Sequence, residues 1–403
     1  MRRKLSNNWK ATIYASYAGY ITQAIVNSYI TLLFVTFQKQ YALSLAKITF
    51  LITFNFCLQL LIDAFSARFV DRVGYRKCIV AAHICAAAGL AMLGILPNVL
   101  PDPYTGILIS VIVYAVGGGL IEVLISPIVE ACPTDDKTAA MSMLHSFYCW
   151  GVVGVIVIST VFFSLAGIEK WYILAVSWAV LPACNAFVFS VVPIGSLTED
   201  GAGMSIRELM KTRIFWVLFL LMICAGASEQ AMSQWASAFA ESALKVSKTV
   251  GDLMGPCMFS ICMGIARVIH AKNSHLSLKK YLAFCSILCI SGYLISVLSP
   301  VPLIGLAGCG VVGFAVGAMW PGSFTLASRS CARGGTAMFA LLALGGDLGC
   351  SGGPTLTGLV ADAFNSSLKA GLTAAVIFPA GMLVGLYLLA RVSAPERGPS
   401  ARN

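Results

Sequence analysis

"ARFVDRVGYRKC", residues 67–78, is the stretch on which the reading of the fold turns. The apolar runs on either side of it, 46–69 and 78–97, each have about the length of a membrane-crossing helix. Its charges therefore read as a tight loop between two spans. Gly74 permits a sharp chain reversal. The cations can cap helix C-termini, and Asp71 can sit against a helix N-terminus or a cation. Such pairs can latch one half of a bundle against the other, which makes Asp71, Arg72, Gly74, Arg76 and Lys77 candidate gating residues. Plain anchoring by positive loop charge is the alternative.

Working outward, the same alternation fills the chain. Of 403 residues, 58% are hydrophobic and 11% charged, with a mean hydropathy of +0.85; a soluble chain carries about 25% charged residues. Twelve apolar runs are expected as spans, over 11–36, 46–69, 78–97, 105–131, 138–166, 170–192, 214–240, 249–270, 280–298, 302–328, 335–361 and 368–391. The longest polar stretch, "PIGSLTEDGAGMSIRELMKTR" (193–213), separates six spans from six. The expected fold is an all-α membrane protein of twelve transmembrane helices in two six-helix bundles. Residues 1–192 form the first bundle, 193–213 a cytoplasmic central loop, and 214–403 the second bundle with a short tail. "MRRKLSNNWK" (1–10) lacks the cleavage site of a signal peptide, so the first span is expected to be its own insertion signal.

The net charge of +10 does not point to nucleic acid, because the cations fall in short loops. With the N-terminus cytoplasmic, all but six of the 27 Lys and Arg lie inside; the six are Lys39, Lys47, Lys170, Lys245, Lys248 and Lys369. That bias puts both termini in the cytoplasm of a multi-pass protein of the plasma membrane, the inner membrane if the cell is bacterial. The 14 cysteines are scattered through apolar runs without a CxxC pair, the pattern of buried thiols rather than of metal or disulfide chemistry.

The halves echo each other: "QAIVNSY" (23–29) and "QAMSQWA" (230–236), "AR" at 67–68 and at 266–267, "ISPIVEAC" before "AAMSML" and "MWPGSFTLASRSC" before "TAMFAL". Their common order suggests a 6+6 duplication with a site at midplane between the halves. The loop at 67–78 resembles the signature of the major facilitator superfamily: Gly (here Ala67), three residues, acid, base, any residue, Gly, any residue, two bases. The resemblance covers the whole chain and implies alternating access by rocking of two bundles. A finer resemblance lies in "GGGLIEVLISPIVEACPTDD" with "SMLHSFYCWGVV", which look like the fucose permease branch of sugar:proton symporters. Glu122 matches its buried Glu, Ser126-Pro127 stands for its Asn-Pro step, and His145 lies near its Gln. Where that branch carries a first-helix acid, this chain offers Gln23, Asn27 and Thr31.

Four acids lie well inside spans: Asp63, Glu122, Glu229 and Asp347. A charge at the bilayer centre costs about 2.5–3.5 kcal/mol on insertion scales, so such residues face the bundle interior and mark function. Glu122 is the first candidate for proton coupling, with Gly118 one turn back and Pro127 beyond; a permanently protonated Glu bonded to a neighbouring helix is the alternative. Glu229 is the second. Gln230 and Gln234 share a face beside Trp235, and amides with an indole suit a polyhydroxylated ligand; interhelical polar glue is the competing reading. Asp63 and Asp347 are candidates for gating or structural pairing. His145 and Tyr148 share a face with Cys149 on span five, while Trp150 and Trp320 are candidate walls for a sugar. Trp171, at a span end, is expected as an interfacial anchor.

The reading is a proton-coupled symporter of a monosaccharide or similar small polar solute. A proton-driven efflux antiporter of amphiphilic compounds is the alternative, and a membrane sensor without transport a remote one. No HExxH, P-loop or nucleophile elbow occurs, so no enzyme activity, catalytic residue, metal or cofactor is expected. The expected partners are the lipid bilayer, the solute and protons, with no nucleic acid, and the expected state is a monomer.

Overall fold

The computed structural model describes residues 8–133, 137–195, 204, 206–272, 277–331 and 335–392. Among them run twelve long helices. They are α1 (Trp9–Tyr41), α2 (Leu45–Val73), α3 (Tyr75–Val99), α4 (Pro103–Glu130), α5 (Lys137–Ala166), α6 (Ile168–Val191), α7 (Arg213–Ala243), α8 (Lys248–His270), α9 (Leu278–Leu298), α10 (Pro302–Ala327), α11 (Gly335–Ala363) and α12 (Leu368–Val392). Eleven meet the length and hydropathy of a membrane span; α11 is the other, diluted by its glycines and Asp347. Helix is the state a membrane imposes, because no water is present to satisfy a free backbone. The result is the expected architecture, two sets of six helices. The side where α1 begins and α6 ends is the terminal face, and the side with the α1–α2 and α7–α8 turns is the far face.

Local chemistry fixes the ends. At Gly74 φ is +94° and its N–H bonds to the Val70 carbonyl at 2.8 Å, so α2 reverses directly into α3. Arg76 donates from Nη1 to the Phe189 carbonyl at 3.0 Å, capping the C-terminal end of α6. Asp102 caps α4, with Pro103 in the first turn. Its carboxylate accepts from the Thr105 hydroxyl (2.6 Å) and from the N–H groups of Thr105 and Tyr104. These bonds, the hydroxyl's foremost, hold Asp102 below the usual carboxylate range.

The long helices are interrupted in several places. A 3-10 turn at Ile30–Leu33 divides α1. π segments cover Phe239–Ala243 at the end of α7 and Leu253–Cys257, with Pro256, in α8. Glycines let α7 and α11 touch backbone to backbone: a Cβ on Gly353 would meet the Ala227 backbone, and one on Gly349 the Ile223 carbonyl. Trp171 corrects an expectation. It is fully buried, donates to Gln40 Oε1 at 3.0 Å, and its carbonyl accepts from the Tyr29 hydroxyl at 2.6 Å. Packing of α6 on the break in α1 claims the ring before the interface can.

Candidate functional site

Two polar chains meet between the halves. On the first half, Gln23 of α1 donates from Nε2 to Glu122 Oε2 of α4 at 3.0 Å and to Gln59 Oε1 of α2 at 3.2 Å. Gln59 in turn donates to Asn27 Oδ1 at 3.1 Å. On the second half, Gln234 Nε2 donates to Gln230 Oε1 at 3.1 Å, and Gln230 Nε2 to Glu229 Oε1 at 3.4 Å. The join is the bond from Gln234 Nε2 to the Asn27 backbone carbonyl, 3.2 Å. Gly118 makes the room: a Cβ there would stand 3.0 Å from Gln23 Oε1 and 3.1 Å from Val26 Cγ1.

Arg267 of α8 is the residue that sequence reasoning missed. It read as part of an "AR" pair following a span, whereas it lies inside α8 with its guanidinium at the level of Glu229. Nη2 is 3.5 Å from Glu229 Oε2, and Nη1 donates to the Cys149 thiol at 3.1 Å. The signal was available, since the expected span 249–270 already enclosed an arginine. Gln59 went unremarked because a lone amide in an apolar run announces no partner. Asp252 was also passed over. It is 1% exposed, accepts from the Ser237 hydroxyl, and pairs with Lys248 at 3.1 Å.

The remaining candidates divide. Tyr148 reaches Asn27, and the His145 ring stands 5.4 Å from Tyr20, exposed at the site's edge. Asp347, half-buried, and Glu229 lie within electrostatic reach of Glu122. Thr31 bonds back to the Ser28 carbonyl. Trp235 is fully buried, donating to the Pro354 carbonyl at 3.0 Å and tilted against Phe34; it packs the bundle instead of facing the amides. Trp320 abuts Gly346 and Phe324. Trp150 is 51% exposed beside Gly264. Lys77 is exposed. The side chains of Asp63, Asp71 and Arg72 lie outside the described residues.

Further polar ties between the halves run from mid-bundle to the far face. Lys39 of α1 pairs with Glu241 of α7 at 2.7 Å, Ser164 meets Thr249 at 3.3 Å, and Cys57 meets Ser351 at 3.2 Å. Lys248 donates to the Leu32 carbonyl that the 3-10 turn in α1 presents. A cavity of about 630 Å³ lies among these charges, lined by Lys39, Glu169, Glu241, Lys248 and Asp252. It is a far-side vestibule and does not include the amide chains.

The sequence profile of the Major Facilitator Superfamily matches residues 17–354. The chain belongs to this superfamily. Solved structures repeat its fold of transporters end to end. A bacterial homologue of the human lysosomal transporter Spinster, inward-facing and unoccupied, is 16% identical with a TM-score of 0.78, covering 98% of this chain and 99% of its own. The nucleoside transporter NupG is 15% identical, TM-score 0.75, over 96% and 100%. FucP, a superfamily transporter in the outward conformation, is 15% identical, TM-score 0.64, over 94% and 98%. No curated protein matches by sequence.

Proposed function

We propose that the chain is a secondary active transporter that carries a small polar solute of monosaccharide size together with a proton. The supporting observation is the pair of amide chains between the halves. Amides in a bilayer interior are costly unless bonded, and here they can exchange their mutual bonds for those of a hydroxylated solute. The nucleoside transporter among the proteins of this fold also handles a hydroxylated solute.

Glu122 is the first proton carrier on this reading. Its hydrogen-bond partner is the neutral amide of Gln23, so it can gain or lose charge without breaking an ion pair. Glu229 already faces Arg267 and is the second carrier. Solute and proton enter from the far face, taken as extracellular. The bundles rock about the site, and release is to the cytoplasm, where both termini and the 193–213 loop lie. The carrier works as a monomer in the plasma membrane, and Asp71, Arg72, Gly74, Arg76, Lys77, Asp63 and Asp347 serve its gating.

Proteoliposomes with an imposed pH gradient test this with a panel of hexoses, deoxyhexoses and amphiphilic dyes. Gradient-driven accumulation of a polar solute is expected. Dye extrusion with no uptake of any polar solute would sink the proposal in favour of efflux.

A further inference from the structure

Arg267 brings a full positive charge into the middle of the bundle, and its surroundings do not satisfy it. A guanidinium has five N–H donors and no acceptor. Nη1 is spent on the Cys149 thiol at 3.1 Å, and Nη2 reaches the Met263 thioether at 3.7 Å. Sulfur is a weak acceptor in both forms. The bond to Glu229 Oε2 is 3.5 Å long, whereas charge-assisted bonds of this kind run about 2.7–2.9 Å. Nε has no hydrogen-bond partner at all. Yet 23% of the side chain remains exposed. What is missing is a planar oxyanion that can take the fork two bonds at a time. On the first half, Gln23 Oε1 is a buried acceptor without a donor.

We propose that the solute of the reading above, on which this inference rests, is a hydroxylated carboxylic acid of the sugar-acid class. Its carboxylate docks on Arg267, and its hydroxyls take the amides of Gln23, Asn27, Gln230 and Gln234. Glu229 is then the solute's competitor. It keeps the guanidinium partly neutralised while the site is empty, and releases it on taking a proton. The other titratable groups around Arg267 are Tyr148, Cys149 and His145 of α5 and Tyr20 of α1. Glu122 of α4 and Asp347 of α11 lie within electrostatic reach of one another. One guanidinium shared between a carrier carboxylate and a solute carboxylate couples proton to cargo by mutual exclusion.

The test sets hexuronates and aldonates against their neutral counterparts, glucuronate with glucose first because the rings differ only at C6. Purified protein is melted with each solute, and proteoliposomes are assayed for accumulation under a pH gradient. Glucuronate or another acid of the panel should raise the melting midpoint and half-saturate uptake at a concentration about tenfold or more below its neutral partner. Arg267→Lys, which keeps the charge but loses the fork, should abolish most of that preference while the protein still melts cooperatively. Glu229→Gln should keep acid binding at a pH where the parent has lost it. Equal or better handling of the neutral sugars overturns the inference and leaves the polar-solute reading standing. Retained acid preference in Arg267→Lys overturns it too. Failure of every acid and every neutral solute to bind or accumulate overturns both.

Discussion

Glu122 and Gly118 share one turn of α4 and carry separable consequences. Glu122→Gln keeps the shape and the bond to Gln23 while removing the titratable oxygen. We expect it to abolish gradient-driven accumulation yet retain exchange of solute across the membrane, measured as counterflow in proteoliposomes. Full accumulation by this variant would place the proton elsewhere. Gly118→Ala adds a methyl against Gln23 and Val26. Overpacking of this kind costs about 1–3 kcal/mol, and here it should appear as weakened solute half-saturation with normal yield of folded protein. The two acids and the amides of α1 and α7 were legible because such residues in an apolar run have few reasons to be there. Trp235 was misleading for a geometric reason: neighbours on a helix point about 100° apart, so Gln234 can reach Asn27 while Trp235 turns into the packing. Arg267 was hidden by its position near a span end, where a long side chain can climb back to the level of Glu229.

The span limits were readable from hydropathy to within a few residues, because a membrane admits little besides helix. The interruptions were not. The 3-10 turn at Ile30–Leu33 contains no glycine or proline, and it is fixed by contacts: Tyr29 bonded to Trp171, and Lys248 drawn to Leu32. Pro256 was the visible sign of the π segment in α8. Lys248 therefore ties α8 to the break in α1 while balancing the buried Asp252. Lys248→Ala should loosen the far face. A Thr36→Cys reporter in the vestibule should react faster with a membrane-impermeant maleimide in that variant than in the parent, above the background of native thiols. An unchanged rate would mean that other contacts hold this face closed. Asp252→Asn should act in the same direction, because it removes the charge that holds Lys248 in place.

Twelve spans put the start of α1 and the end of α12 on one face. Protease-cleavable tags at the N-terminus, the C-terminus and within 193–203 should all be cut in inverted vesicles and protected in intact cells; cleavage of any one from the cell exterior would contradict the orientation. The far face carries the exposed Lys39–Glu241 pair, which salt screens over about 8 Å at physiological ionic strength. The amide chains have a different consequence for the whole molecule. They are partitioned: Glu122, Gln23, Gln59 and Asn27 move with one bundle, and Glu229, Gln230 and Gln234 with the other. A single neutral hydrogen bond, Gln234 to the Asn27 carbonyl, stitches them together. A neutral bond is worth about 0.5–1.5 kcal/mol net, no more than roughly tenfold in a population ratio. Parting the bundles at this level thus leaves each acid with its own amides and gives up only weak bonds, Gln234 to the Asn27 carbonyl, Arg267 to the Cys149 thiol and Cys57 to Ser351, so the polar centre acts as a cheap seam. The outward and inward populations are then decided at the periphery.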